Sequence, residues 1–151
     1  MYSRKEASQI RQEFWTIFGQ YMAPVSSADG EKINWINYKT GKKGLQFKME
    51  ADPSKASIAV EISPADAFLR KAYYQRFMLR MKDLERLLYE KWTWSEEYVQ
   101  DVQIKSRIYK ELPGVSVLKR EDWPTIISFL KPRIIGLDRF WSCYKYEFDL
   151  G

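Results

Sequence analysis

The chain has 151 residues, of which 45% are hydrophobic and 30% are charged, and its formal net charge is +5. This length and this balance are typical of one globular domain and argue against a disordered chain. The chain contains no histidine and a single cysteine, Cys143, which excludes histidine-based catalytic triads, histidine-containing zinc sites and an internal disulfide.

The same residues bear on where the protein is found. Arg, Lys, Asp or Glu interrupts every apolar segment, so we expect no membrane-spanning helix. The N-terminal residues 1–14 lack the apolar core of a signal peptide. Together with the lone cysteine, these features predict a single domain, residues 1–151, in the reducing cytoplasm.

The first predicted element is a helix from about Arg4 to Met22. Ser3 and Glu6 have the spacing of a capping box, and the apolar residues that follow recur at helical intervals. After a loop rich in Ser, Asp and Gly, the β-forming residues 33–39 predict a strand.

That strand leads into residues 39–44, which we call the basic turn. It contains Lys39, Lys42 and Lys43 together with Gly41 and Gly44. Because glycine lets backbone N–H groups approach an anion and lysine supplies the charge, the turn is a candidate phosphate contact. The alternative interpretation is a solvated, lysine-rich turn without a ligand.

A β-hairpin is predicted over residues 45–63, with its turn at residues 52–55. This register pairs Phe47 with Val60 and Gln46 with Glu61, and it places the apolar side chains of both strands on one face. Glu61 and Lys48 then belong to the opposite, polar face.

A second helix is expected to begin with Ser63 as its N-cap and Pro64 at its first position, and to run to about Lys91. Arg76 and Arg80 lie one helical turn apart and would form a basic ridge on this helix. The ridge has two interpretations, a contact with nucleic acid or a solvated face.

The remaining elements complete an α+β pattern. Residues 92–100 and 104–112 predict a hairpin that turns near Asp101, and residues 115–118 predict a short strand. A final helix begins near Asp122 and contains Pro132, which is expected to kink it. The order α-βββ-α-ββ-α, with about five strands, indicates a mainly antiparallel sheet on which the helices pack.

The element order resembles the core of the PD-(D/E)XK nuclease fold. That resemblance implies that Glu61 binds Mg²⁺ together with Glu50 or Glu13, and that Lys48 acts as a migrated catalytic lysine. The sequence departs from the motif at Ser63, where the family has lysine. In the alternative interpretation, Glu61 and Lys48 form only a diagonal salt bridge.

Other ligand signals are few. Trp35 and Tyr38 flank the basic turn, and aromatic residues beside cations are typical of single-strand binding, although they are also typical of a core. The sequence contains no P-loop, no GxGxxG and no EF-hand loop, so no nucleotide cofactor is expected.

Several segments carry a family resemblance. They are residues 34–41 (NWINYKTG), 106–115 (SRIYKELPGV), 122–124 (DWP), 11–15 (RQEFW) and 131–133 (KPR). They resemble a bacterial family of about this length that is classed as a domain of unknown function. Some longer proteins of similar type join this domain to a nuclease-like domain, which implies a role linked to DNA or to defence.

Three hypotheses follow. The first is a non-catalytic cytoplasmic binding domain without a cofactor, which contacts DNA or RNA through Lys39, Lys42, Lys43, Arg76 and Arg80. The second is an active or degenerate metal-dependent nuclease. The third is a protein-interaction module or a homodimer.

Overall fold

The architecture was determined from a computed structural model that describes residues 2–150. It confirms an α+β domain with helices packed on an antiparallel sheet. The sheet has four strands within these residues, where about five were predicted, and their order is β1-β2-β4-β3. The elements are α1 (Arg4–Met22), β1 (Leu45–Ala51), β2 (Lys55–Ile62), α2 (Ala67–Leu79), α3 (Met81–Leu88), β3 (Thr93–Gln100), β4 (Gln103–Pro113) and α4 (Trp123–Tyr144), with short 3₁₀ helices at Arg120–Asp122 and Lys145–Phe148.

Helix α1 begins as predicted. The backbone N–H of Glu6 donates to Ser3 Oγ over 3.1 Å, and the backbone N–H of Ser3 donates to Glu6 Oε1 over 3.2 Å. These two reciprocal bonds satisfy donors that the first turn of a helix leaves free. Phe14 and Phe18, on the apolar face of the helix, are completely buried.

The β1–β2 hairpin has the predicted register, including the pairs Phe47–Val60 and Gln46–Glu61. Strand β2 is central and also pairs with β4, which sets Val60 opposite Ile108 and Glu61 opposite Arg107. Because side chains alternate along a strand, the sheet has a face that joins the hydrophobic core and a second face, which we call the polar face. The polar face carries Gln46, Lys48, Glu50, Ser57, Ala59, Glu61, Lys105, Arg107, Tyr109 and Glu111.

The strand predicted at residues 33–39 is wrong. Asn34 Oδ1 accepts hydrogen bonds from the backbone N–H groups of Ile36 and Asn37, which closes a turn in place of a strand. Trp35 is nevertheless buried, and its Nε1 donates to Val25 O over 3.0 Å. The aromatic residues that indicated a strand therefore belong to a packed loop.

The short strand predicted at residues 115–118 is also wrong. This segment is irregular and is fixed to the β1–β2 turn by a bond from the Val117 N–H to Asp52 O. Ser116 N–H donates to Asp122 Oδ2, which joins the segment to the residue before α4.

The long second helix is divided in two. Helix α2 begins at Ala67 with Asp66 as its N-cap, because Ser63 still bonds to Gly44 O beside the sheet. It ends before Arg80, whose ψ of 17° interrupts the helix, and α3 follows. Helix α2 packs on β2 and β4 whereas α3 packs on α4, so the two segments need different axes.

Helix α4 begins after Asp122, as predicted, and Pro132 lies inside it on its exposed side. Its buried face includes Ile126, Leu130 and Trp141. Within residues 2–150, no helix combines the length and the apolar character that a membrane crossing requires.

Candidate functional site

Glu61, the leading candidate for chemistry, lies on the polar face but is only 3% exposed. Lys105 Nζ lies 3.3 Å from Glu61 Oε1, and Arg107 Nε lies 3.4 Å from Glu61 Oε2. The expected surface carboxylate is therefore a buried one between two cations of β4. The diagonal salt bridge from Lys48 to Glu61 is not formed, because Lys48 pairs with Glu50 at 3.6 Å.

Arg107 is itself buried, with 6% exposed, and it lies among aromatic rings. Its guanidinium carbon is 4.9 Å from the ring centroids of both Tyr98 and Tyr109. Arg107 Nε and Glu61 Oε2 make no hydrogen bond of good geometry, so their contact is an ion pair without a directional bond. Burial of both charges makes each partner dependent on the other.

The carboxylates proposed for Mg²⁺ are not brought together. Glu50 pairs with Lys48, and Glu13 pairs with Arg120 at 2.5 Å on another part of the molecule. In the described part of the chain, no three His, Cys, Asp or Glu side chains are grouped so that they could hold a metal ion. The arrangement around Glu61 buries a charge pair, and the guanidinium of this pair lies against the rings of Tyr98 and Tyr109.

The basic turn is held in place from two sides. Thr40 is buried, and its Oγ1 donates to Leu45 O over 2.8 Å. On the α4 side, Trp141 Nε1 donates to Thr40 O over 2.9 Å. At the other end of the turn, Gly44 has a φ of 85° and its carbonyl accepts a bond from the Ser63 N–H. The turn is thus fixed both to α4 and to the end of β2.

Three clefts meet at the basic turn. The first, which we call the Pro64 cleft, has a volume of about 770 Å³ and lies between residues 41–44, residues 63–66, α2 and residues 148–150. The second, the Asp138 cleft, has a volume of about 370 Å³ and is lined by residues 38–41 and by polar residues of α4 and the 27–34 loop. The third runs along residues 37–42 to Ser63 and shares lining residues with the other two.

The Asp138 cleft contains the buried carboxylate of Asp138, and both of its oxygens accept hydrogen bonds. Tyr38 Oη donates to Asp138 Oδ1 over 2.6 Å, and the Ala28 N–H donates to Asp138 Oδ2 over 2.7 Å. Burial, followed by the hydrogen bond to Asp138, raises the pKa of Tyr38 well above its usual range. Asp138 therefore ties the 23–44 loop to α4, which is a structural role.

A second carboxylate at the rim of this cleft is also engaged. Asp29 accepts from Ser142 Oγ over 2.6 Å and from Lys145 Nζ over 3.2 Å. The hydrogen bond from Ser142 lowers the pKa of Asp29 most, and the hydrogen bond from Lys145 lowers it further, so this pKa lies below its usual value.

The five cations predicted for nucleic-acid contact divide into two groups. Lys42 pairs with Asp149, and Arg80 donates to Glu147 through Nε at 3.0 Å and Nη2 at 2.6 Å. Lys39, Lys43 and Arg76 are exposed, and they form no ion pair with any residue in the range 2–150. Two exposed lysines of the basic turn are thus available to a ligand.

The model of the family described as "Domain of unknown function (DUF4268)" matches residues 10–145. No curated protein and no solved structure matches the chain.

Proposed function

The chain belongs to the family described as "Domain of unknown function (DUF4268)", and we propose that it is a binding domain that holds the phosphates of a nucleic acid at its basic turn. One observation carries the proposal. Lys39 and Lys43 are exposed and unpaired within residues 2–150, and they lie on a turn that is fixed from both ends and bordered by clefts.

The rigidity of the turn favours a ligand. The hydrogen bonds of Thr40 and Trp141 fix the backbone, so a bound anion would not need to order the loop first. Gly41 has a φ of 77° and nothing lies within 4 Å of the position where a Cβ would be. An anion can therefore approach the backbone as well as the two ammonium groups.

The charge of the chain supports the same ligand class. A net charge of +5 favours approach of a polyanion, and each phosphate that a lysine neutralises releases counterions. Arg76 on α2 is a further exposed cation, whereas Arg80 is paired with Glu147.

The test is fluorescence anisotropy with a labelled single-stranded oligonucleotide of about 16 nucleotides, at salt concentrations between about 50 and 200 mM. The wild-type chain should bind, and its affinity should fall as salt rises. Lys39→Ala/Lys43→Ala should weaken binding about tenfold and reduce the salt slope by about 1.4, the value for two contacts with single strands.

The matched control is Lys5→Ala/Lys119→Ala, which removes the same charge from two other exposed lysines. Lys119 lies at the opposite end of the sheet from Gly44, since neighbouring Val117 bonds to Asp52 in the β1–β2 turn. The control should bind nearly as well as wild type. Absence of binding at the lowest salt, or an equal loss in both double variants, would overturn the proposal.

A further inference from the structure

The Pro64 cleft has walls of two different kinds. One wall is the polar backbone and lysines of residues 41–44, and the opposite wall is Pro64 with Leu69 of α2. Its volume of about 770 Å³ lies in the range of about 300–1,000 Å³ that is usual for small-molecule and nucleotide sites.

The apolar side of the cleft is partly open to solvent. Pro64, Leu69 and Leu150 are half-buried, so part of each surface is available to a ligand. Beneath them lie Tyr73 and Phe148, whose rings stack at a centroid distance of 6.5 Å and an angle of 17°. Both rings are buried, so they support this side of the cleft from within, and a flat apolar group would contact the three half-buried residues.

Two lysines and two aspartates line the cleft, and in the part of the chain that the structure describes only one of these lysines is paired with an aspartate. Asp66 accepts from the N–H groups of Phe68 and Leu69 as the N-cap of α2, and Asp149 pairs with Lys42. Lys43 is exposed and has no ion-pair partner among residues 2–150. The cleft therefore offers one exposed ammonium group, unpaired within the described range, beside a half-open apolar surface.

We propose that the Pro64 cleft accepts a single unpaired nucleotide, with its base against Pro64, Leu69 and Leu150 and its phosphate at Lys43. This inference rests on the proposed function and defines the ligand as single-stranded. An extruded or unpaired base combines a flat apolar face with an adjacent phosphate, which are the two features that the cleft complements. A base inside a duplex cannot enter, because it would first have to leave its stack.

The test compares binding of a single-stranded oligonucleotide with binding of the duplex of the same sequence, for variants of the apolar wall. Leu69→Gln should weaken single-strand binding about tenfold, because it replaces apolar surface beneath the base with a polar amide, and should leave the salt slope unchanged. Leu79→Gln is the control, since Leu79 lies on the same helix, is 75% exposed and does not line the cleft. Leu150→Ser is a second variant of the wall, and thermal unfolding of each variant shows whether it is folded.

The outcomes separate the two proposals. Preference for the single strand, with losses in Leu69→Gln and Leu150→Ser but not in Leu79→Gln, supports the inference. Equal binding of single strand and duplex, with folded wall variants that bind like wild type and with Lys39 and Lys43 still required, overturns the inference and leaves the proposed function standing. If neither nucleic acid binds, both fail.

Discussion

Glu61 of β2 and Arg107 of β4 lie directly opposite each other in the sheet, and both are buried on the face that the core does not occupy. Their side chains approach to 3.4 Å beneath the rings of Tyr98 and Tyr109. Considered alone, an acidic residue in the middle of a strand suggests a metal ligand. Here Glu61 is instead the partner of a buried arginine.

Glu61→Gln is therefore expected to act on stability. The change keeps the size of the side chain and leaves Arg107 buried without its counter-charge, which should lower the free energy of unfolding by about 3–5 kcal/mol. Glu50→Gln, in the more exposed pair with Lys48, should cost about 0–1 kcal/mol. Urea unfolding measures both values.

The same variant tests the nuclease interpretation. If Glu61 were a metal ligand, wild type would cleave DNA in the presence of Mg²⁺ and Glu61→Gln would be inactive. A Glu61→Gln protein as stable as wild type would contradict the structural role and make the cleavage assay decisive.

Tyr38→Phe should remove the hydrogen bond to buried Asp138 and lower the free energy of unfolding by about 1.5–3 kcal/mol near neutral pH. Burial and Asp138 raise the pKa of Tyr38 in the folded state above the unfolded value of about 10. The stabilisation is thus complete below about pH 10 and is lost as the pH rises towards the folded value.

The difference between wild type and Tyr38→Phe should consequently shrink in urea titrations above about pH 10. Tyr146→Phe is the control, because Tyr146 is 75% exposed, and it should match wild type throughout. A difference that stays constant with pH would show that the tyrosine hydroxyl does not carry the effect.

Glu90 links the end of α3 to α4. It accepts two bonds of 2.8 Å from Arg133 and one from Trp92 Nε1. Burial raises the pKa of Glu90, but the hydrogen bonds from Arg133 and Trp92 outweigh it and hold the pKa below its usual value. A lowered pKa contributes stability above the unfolded value of about 4.3, and the contribution is lost as the pH falls through the folded value.

Glu90→Gln should thus lower the free energy of unfolding by about 1.5–3 kcal/mol at neutral pH and by less in acid. Denaturant unfolding between pH 3 and pH 7, approximately the range in which a carboxylate titrates, checks this. Glu121→Gln, at an exposed position, should follow wild type across the range. Parallel curves for Glu90→Gln and wild type would refute the expectation.

Gly136 lies where α4 packs tightly against Leu87 and Leu88 at the end of α3. A Cβ at this position would lie 2.9 Å from Leu88 Cδ2 and 3.2 Å from the carbonyl oxygen of Leu87, and the backbone oxygen cannot move independently. Gly136→Ala should therefore destabilise the protein by about 1–3 kcal/mol, seen as a lower Tm.

Gly19→Ala is the matched change in α1, where the nearest atom would be Ile36 Cδ1 at an ordinary 3.4 Å. Because alanine is the better helix former, this variant should be neutral or more stable by about 0.5–1 kcal/mol. If both alanine variants behaved alike, the contact between α3 and α4 would not be limiting.

Local rules predicted the elements whose contacts are local. The capping box of Ser3 and Glu6 and the register of the β1–β2 hairpin depend on residues close in sequence, and the structure confirms both. The strand prediction for residues 33–39 was wrong for an equally local reason. The Asn34 side chain bonds to the backbone and competes with the strand that the aromatic content favoured.

The candidate site could be predicted only in part. The position of the basic turn follows from its composition, but the partner of Lys42 is Asp149, near the other end of the chain. The partners of Glu61 also come from another part of the chain, with Lys105 separated from it by 44 positions. They could not be predicted, because the pairing of β2 with β4 is not visible in the pattern of either strand alone. Sequence therefore identified the charged residues, and the long-range pairing decided which of them remain free.

The strand order β1-β2-β4-β3 has a kinetic consequence. Each hairpin joins strands that are neighbours in sequence, and such units close within about 1–10 μs. Strands β2 and β4 are separated in sequence by α2, α3 and β3. Their pairing, which we call the β2–β4 seam, must therefore overcome the entropy of closing a long loop. We expect the two hairpins to form early and the β2–β4 seam to limit the folding rate. Destabilising changes at Ala59 or Ile108 should then slow folding, whereas changes at the tip of the β3–β4 hairpin should mainly speed unfolding.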